Sequence, residues 1–189
     1  MSTIINADTS DGLKFTSDTS GEIKLQSAGA DIATVDSSGI TMASGKGLAA
    51  TGHVLQVVQG STNTQVNTTS TSYVSTSLTA SITPSSTTSK ILVNVSSSTI
   101  MTNVDQIVYS TIYRGATNIG GGNQTALNLT RPASAANAWQ WVPLTINKLD
   151  SPSTTSSTTY TLYFKVNGGS GYVCHPDMLS TITLIEVAG

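Results

Sequence analysis

Apolar and polar side chains alternate along most of this chain, and the alternation comes in two textures. In the first fifty residues it is short and repetitive. Asp8-Thr-Ser-Asp-Gly-Leu-Lys-Phe-Thr-Ser17 runs straight into Asp18-Thr-Ser-Gly-Glu-Ile-Lys-Leu-Gln-Ser27, and a shortened copy returns as Asp36-Ser-Ser-Gly-Ile-Thr-Met-Ala-Ser44. Each copy is a polar turn followed by a brief strand: Leu13-x-Phe15, Ile23-x-Leu25 and Ile40-x-Met42. Asp and Ser bond their own backbone in turns, and Gly takes the positive φ that turns need. The alternation puts two apolar side chains on one face of each strand. So short a strand cannot bury that face alone, and such repeats become stable by stacking. Nothing else in this stretch reads as a strand, so the expected partner is another copy of the chain, as in an oligomeric fibre shaft.

A small-residue stretch, Ala43-Ser-Gly-Lys-Gly-Leu-Ala-Ala-Thr-Gly52, closes the repeats, and we place a boundary there: a shaft and attachment segment over 1–52, a knob over 53–189. From His53 the strands are longer, and regular turn signals separate them, the pattern of a sandwich or barrel. Strands are expected at Val54–Gln59, Tyr73–Ile82, Lys90–Ser96, Gln106–Arg114, Ala138–Leu149, Thr159–Val166 and Ser180–Val187. In the last of these, Glu186 continues the side that carries Ile182 and Leu184. Pro, Ser and Gly clusters at 83–89, 151–158 and 167–171 supply turns, and Gly115-Ala-Thr-Asn118 reads as a hairpin turn. No window shows a convincing 3.6-residue period, so the expected fold is all-β: a short repetitive β shaft followed by an antiparallel jelly-roll-like β-sandwich. An immunoglobulin-like sandwich is the alternative, because alternation alone leaves strand order open.

Composition narrows the function. Ser and Thr make up roughly a third of the residues, but apolar alternation runs through them, which argues against disorder. There are eight basic and ten acidic side chains, for a net charge of −2. A nucleic-acid binder needs a basic stripe to meet phosphate, and none is present. No segment has the length or moment to insert into a membrane. The start, Met1-Ser-Thr-Ile-Ile5, lacks the features of a signal peptide, so synthesis in a cytoplasm is expected. The single Cys174 excludes an intrachain disulfide. The Asn-x-Ser/Thr sequences at Asn67, Asn94, Asn123 and Asn128 are what chance yields in so Thr-rich a chain.

Several stretches have a familiar texture: Leu55-Gln-Val-Val-Gln59, Thr71-Ser-Tyr-Val-Ser-Thr-Ser-Leu-Thr-Ala-Ser-Ile-Thr-Pro-Ser-Ser-Thr-Thr-Ser-Lys-Ile-Leu-Val93, Ile112-Tyr-Arg-Gly-Ala-Thr-Asn-Ile-Gly120, Leu149-Asp-Ser-Pro152 and Ser180-Thr-Ile-Thr-Leu-Ile-Glu-Val187. They resemble structural proteins of tailed bacteriophages, notably marine ones, and Asp36-Ser-Ser-Gly-Ile40 resembles the shaft phrases of tail fibres. The resemblance implies a homotrimeric fibre or spike on the virion, with a knob similar to the tumour-necrosis-factor and C1q-like jelly rolls. The knob is then expected to contact the host surface, with a glycan as partner. The N-terminal end, with Ile4, Ile5, Asp8 and Leu13, is expected to dock into a larger virion protein. Alternative readings are a purely structural capsid decoration protein or head fibre, and a C1q-type lectin unconnected with phage.

The chemistry-bearing residues fit a binding role better than catalysis. His53 and His175 are the only histidines, and neither sits in a nucleophile motif. A glycosidase pair would have to come from few acids, and Asp8, Asp11, Asp18 and Asp36 are turn residues. No enzyme activity, cofactor or metal is expected. Cys174-His175-Pro-Asp177 holds ligand chemistry, but adjacent residues seldom converge on one zinc; a buried Cys, a polar His and a Pro-Asp turn is the preferred reading. Gly120-Gly-Gly-Asn123 and Asn167-Gly-Gly-Ser-Gly171 open no helix and read as turns or contact loops. Trp139 and Trp141 share a strand face: exposed, they make a sugar-stacking platform; buried, the favoured alternative, they anchor a core or trimer interface. Tyr172, His175, Asn123 and Trp139 are the receptor-contact candidates.

Overall fold

The structure is a computed structural model describing residues 20–44, 47, 51–103, 105–131 and 139–189. Ile4, Ile5, Asp8 and Leu13, and with them the first repeat copy, lie outside the described residues. The chain divides into two compact units, Met1–Ala49 and Ala50–Gly189.

The first unit holds a three-stranded antiparallel meander, β1 (Ile23–Ser27), β2 (Ala30–Asp36) and β3 (Gly39–Met42). β1 and β3 are the expected repeat strands. β2 is not: it fills the interval between copies, where Ala, Asp and Thr dilute the β-branched pattern. The expectation that the repeats lack any partner of their own is therefore corrected. Pairing is not burial, however. Register places Ile23 opposite Val35 and Val35 opposite Ile40, with Leu25, Ala33 and Met42 in the next row. Both rows lie on one face by the period-two rule. Of these, Ala33 is buried, while Ile23, Leu25 and Ile40 stay exposed, Ile40 at 71%.

The second unit is a two-sheet antiparallel sandwich. Its long strands are β4 (Val54–Thr62), β6 (Val74–Ile82), β7 (Lys90–Met101), β8 (Val108–Arg114), β11 (Gln140–Asp150), β12 (Thr158–Val166) and β14 (Ser180–Val187). Short β5 (Val66–Thr68), β9 (Thr117–Asn118), β10 (Asn128–Thr130) and β13 (Gly171–Val173) complete it. One sheet runs β4-β14-β7-β11, with β13 and then β5 continuing beside the far end of β7. The other runs β6-β12-β8-β10, with β9 on the end of β8. Counting β4, β6, β7, β8, β10, β11, β12 and β14 as strands one to eight, the sheets read 1-8-3-6 and 2-7-4-5. That is the jelly-roll order, and it excludes the immunoglobulin-like alternative.

Alternation builds the core. Leu78, Ile82, Ile112, Tyr160, Leu162 and Phe164 from one sheet meet Ile91, Val93, Val95, Leu144, Ile146, Ile182 and Leu184 from the other. Each such burial is worth about 1.5–3 kcal/mol against exposure. Polar links cross the same gap. Asp150 of β11 accepts both a 2.8 Å bond from Arg114 Nη1 of β8 and a 2.8 Å bond from the Tyr160 hydroxyl of β12. Burial, then the bond to Asp150 and its negative charge, push the Tyr160 phenol far above its ordinary range. Pro143 lies in β11, an edge strand, where a missing N–H is tolerated.

The short strands escaped the sequence pattern because two or three residues cannot show a period. Thr117 and Asn118 belong to β9, so the hairpin turn tightens to Gly115-Ala116. β7 runs on from Ser96 to Met101 through Ser97, Ser98 and Thr99, whose hydroxyls look like surface but are buried.

Two sites here generate predictions. A Cβ on Gly60 of β4 would lie 1.9 Å from the Thr79 carbonyl oxygen of β6, where the two sheets approach. Gly60→Ala should cost about 1–3 kcal/mol in urea unfolding, the usual range for overpacking. Glu186 points inward, fully buried, and accepts bonds from Gln56 Nε2 and, at 2.7 Å each, from the Ser85 N–H and hydroxyl. Burial alone would raise its pKa, but the bonds from Gln56 and Ser85 outweigh it and hold the carboxyl below the usual glutamate value. The unfolded chain therefore binds this proton more readily. The stability it adds is present above the ordinary glutamate pKa and is lost as pH falls through the folded value. Urea midpoints measured down the acid range should show that loss, and Glu186→Gln should flatten it.

Candidate functional site

The outward face of the β4-β14-β7-β11 sheet is laid out in rows by strand register. Leu92 of β7 has Ile185 of β14 on one side and Leu149 of β11 on the other, and Ile185 in turn faces Val57 of β4. These four apolar side chains span the sheet, and Val57 and Leu149 are 58% and 52% exposed. Two residues along β7 comes Gln59, Thr183, Asn94 and Asn147; two further comes Ser61, Thr181, Ser96 and Thr145. In these three rows there is no charged side chain. Directly opposed side chains in such rows sit about 4.5–5.5 Å apart at Cβ, so each row acts as one surface strip.

The last row is aromatic. Trp141 of β11 and Tyr172 of β13 flank Ile100 of β7. Ile100 is almost wholly buried yet stands outside the cluster between the sheets. Its side chain falls on the outward face by alternation, beneath a small aromatic patch. Trp139 stacks on Tyr172 with ring centroids 5.2 Å apart, and Trp141 meets His175 at 4.1 Å. Ser98, Trp141, Val142, Pro143 and Met178 line a shallow depression of about 220 Å³ beside it. Trp139 and Trp141 are 58% and 52% exposed, so the reading that buries them in a core is overturned for the chain by itself.

Three of the four receptor candidates, Trp139, Tyr172 and His175, thus gather on one patch. Asn123 does not. It lies in the loop between β9 and β10, on the other sheet. Cys174 and His175 part company: the thiol is buried against the Ser97 hydroxyl at 3.6 Å, while the imidazole lies on Trp141 and its Nδ1 is 3.7 Å from Asp177 Oδ2. Burial raises the thiol pKa, the Ser97 and Ser180 hydroxyls opposing it. Cys174 also holds a positive φ of 59°, which aims consecutive side chains differently. Among the described residues no three His, Cys, Asp or Glu side chains cluster as metal ligands would.

The sequence reading missed a second aromatic surface. On the outward face of the β6-β12-β8-β10 sheet, Tyr113 and Tyr163 stack at 3.9 Å and Tyr73 meets Tyr113 edge-on at 6.2 Å. Lys165 Nζ sits 4.7 Å from the Tyr73 ring centre and 5.4 Å from that of Tyr109. The Tyr73 hydroxyl donates to the Gln124 carbonyl at 2.9 Å, and burial above all pushes its pKa up to about 12. The available signal was parity: Tyr109 and Tyr113 share a face of β8, and Tyr163 and Lys165 share a face of β12.

No family model matches this sequence, and no curated protein matches it. Among solved structures, the chain is similar to that of infectious bursal virus derived T=1 particles, at 11% identity and a TM-score of 0.37, covering 88% of this chain and 41% of that one. A mutant VP2 protein of infectious bursal disease virus in T=1 particles gives 10% identity and 0.36, with 86% and 40% covered. The Gx strain of that virus gives 12% and 0.37, with 89% and 43% covered. This chain thus spans about two fifths of the length of those chains, and likenesses this loose carry no inference about function.

Because Ile100 is covered and Trp139 is not, their substitutions should separate. Ile100→Ala should cost about 2–5 kcal/mol in urea unfolding. Tyr172→Ala should remove the Trp139 stack from the near-ultraviolet circular dichroism while the far-ultraviolet β spectrum stays unchanged.

Proposed function

We propose that this chain is a structural subunit of a virion surface appendage, a homotrimeric fibre or spike whose knob contacts a glycan of the host surface. The observation that carries the reading is the run of uncharged rows on the outward face of the β4-β14-β7-β11 sheet, from Val57, Ile185, Leu92 and Leu149 to Trp141, Ile100 and Tyr172, with Lys90 exposed beside Val187 in the row beyond Leu92. Rows without ionic groups can be buried without the desolvation cost that charges carry, and burying apolar rows is favourable. Interface cores are depleted in charge and enriched in aromatics in the same way. The exposed Ile23, Leu25 and Ile40 of the meander ask for the same kind of partner. Further copies of the chain supply both at once, and the resemblance to fibre proteins sets the number at three.

In this reading residues 1–52 form the shaft, and Ile4, Ile5, Asp8 and Leu13 dock into a larger virion protein. Residues 53–189 form the knob. Each glycan contact is weak, and several identical sites per particle supply avidity through effective concentration. The role is binding and structural rather than catalytic.

Light scattering on the full-length protein should give three times the chain mass. Val57→Lys together with Leu149→Lys should convert it to folded monomers; a monomeric wild type would sink the assembly. Host cells preincubated with the trimer should adsorb fewer particles in proportion to its concentration. A correctly assembled trimer that leaves adsorption untouched would move the role to decoration of the capsid.

A further inference from the structure

If the outward face of the β4-β14-β7-β11 sheet is used for assembly, three of the four candidate contact residues go with it. Asn123 remains, exposed on an open, shallow depression. Tyr109, Gly121, Gly122, Asn123, Gln124 and Leu129 are among the residues lining a hollow of about 310 Å³, near the lower end of small-molecule sites. Among the described residues no lining side chain is charged.

The loop that makes it is held from several directions. Asn118 Oδ1 accepts from the Gly120 N–H and from the Thr111 hydroxyl, both at 2.8 Å, and Asn118 Nδ2 donates to the Thr125 hydroxyl at 3.2 Å. Gly121 bridges Ala126. Tyr73 pins the Gln124 carbonyl from the sheet, and Lys165 Nζ donates to Gln124 Oε1 at 3.0 Å. A Cβ on Gly120 would lie 2.1 Å from the Thr125 carbonyl oxygen, so the loop closes tightly there. Against this bracing, the Asn123 side chain has no hydrogen-bond partner among the described residues. An amide offers two donors and a two-lone-pair acceptor, all free here. Tyr109 of β8 and its cross-strand partner Leu129 of β10, half exposed, line the same hollow.

From this arrangement we infer that the hollow of Tyr109, Gly121, Gly122, Asn123 and Leu129 is a binding site for an uncharged saccharide. The C–H face of a pyranose packs on Tyr109 and Leu129, where an aromatic ring supplies apolar area in a fixed orientation. Adjacent hydroxyls pair with the Asn123 amide, whose donor and acceptor match a vicinal diol. Gly121 and Gly122 let the sugar approach the backbone. Lys165 borders the hollow but is engaged with Gln124 Oε1 and the Tyr73 and Tyr109 rings, so the lining itself presents amides and apolar surface to a ligand. This inference rests on the host-contact reading for its purpose, and it places the contact on the sheet opposite the Trp139 patch.

The test is saturation-transfer NMR on the full-length protein with neutral hexose and N-acetylhexosamine oligosaccharides, and with sialylated ones for contrast. A neutral oligosaccharide should bind, and Asn123→Ala and Tyr109→Ala should each weaken it at least tenfold without altering the oligomer. The inference is overturned if no neutral oligosaccharide binds, if both variants bind as wild type does, or if Trp139→Ala abolishes binding in an intact oligomer. Adsorption competition separates the two readings. Wild type and Asn123→Ala blocking adsorption equally would sink this site and leave host contact standing. Wild type that binds sugar but fails to block would keep the site and remove host contact.

Discussion

β7 is the strand on which the second unit depends. It is hydrogen-bonded along its whole length, to β11 from Ile91 to Met101 on one side, and to β14 and then β13 on the other. Because register has a period of two, that double pairing sets which face every neighbouring residue presents. A one-residue slip would bring Leu92, Asn94 and Ser96 into the core and push Ile91, Val93 and Val95 into water. The buried cluster between the sheets holds the register against that slip, and the rows on the outer face follow from it.

The two faces of this sheet solve different problems with similar residues. Inside, apolar side chains dominate; Ser97 pairs with Ser180 at 2.8 Å and Glu186 sits within its ring of donors, while the buried Thr99 hydroxyl has no partner. Outside, amides and hydroxyls fill the middle rows and apolar groups flank them, with Lys90 beyond the Leu92 row. Water tolerates such a surface, and so does a second protein face, because neither Asn nor Thr carries the desolvation penalty of an ion. On the opposite sheet, hydroxyl pairs such as Ser81 with Thr159 at 2.7 Å give way to the tyrosine cluster and the braced loop. The second unit therefore has one outward face of amides, hydroxyls and apolar rows and another of tyrosines around Lys165.

Much of this was legible before the structure. The seven long strands, the all-β class and the inward position of Glu186 follow from alternation, which is local. The boundaries of β7 and the existence of β2, β5, β10 and β13 were not legible. Ser97-Ser98-Thr99 and Ala30-Asp31 carry no apolar period, and a three-residue strand exists only because a neighbour is there to pair with it. Trp139 illustrates the same limit at the site. Its strand face could be read, but exposure depended on whether the other sheet covered it.

The sequence by itself determined the all-β class, the long strands and the sparseness of charge, because these are properties of single segments and of composition. Tertiary structure decided the rest. Strand order selected the jelly roll over the immunoglobulin-like sandwich, since both have the same alternation and differ only in long-range pairing. The same long-range pairing drew Trp139, Tyr172 and His175 together across β11 and β13, and sent Asn123 to a hollow beside Tyr109. Which residues share a row is set by hydrogen bonds between strands far apart in the chain, and no local pattern encodes that register.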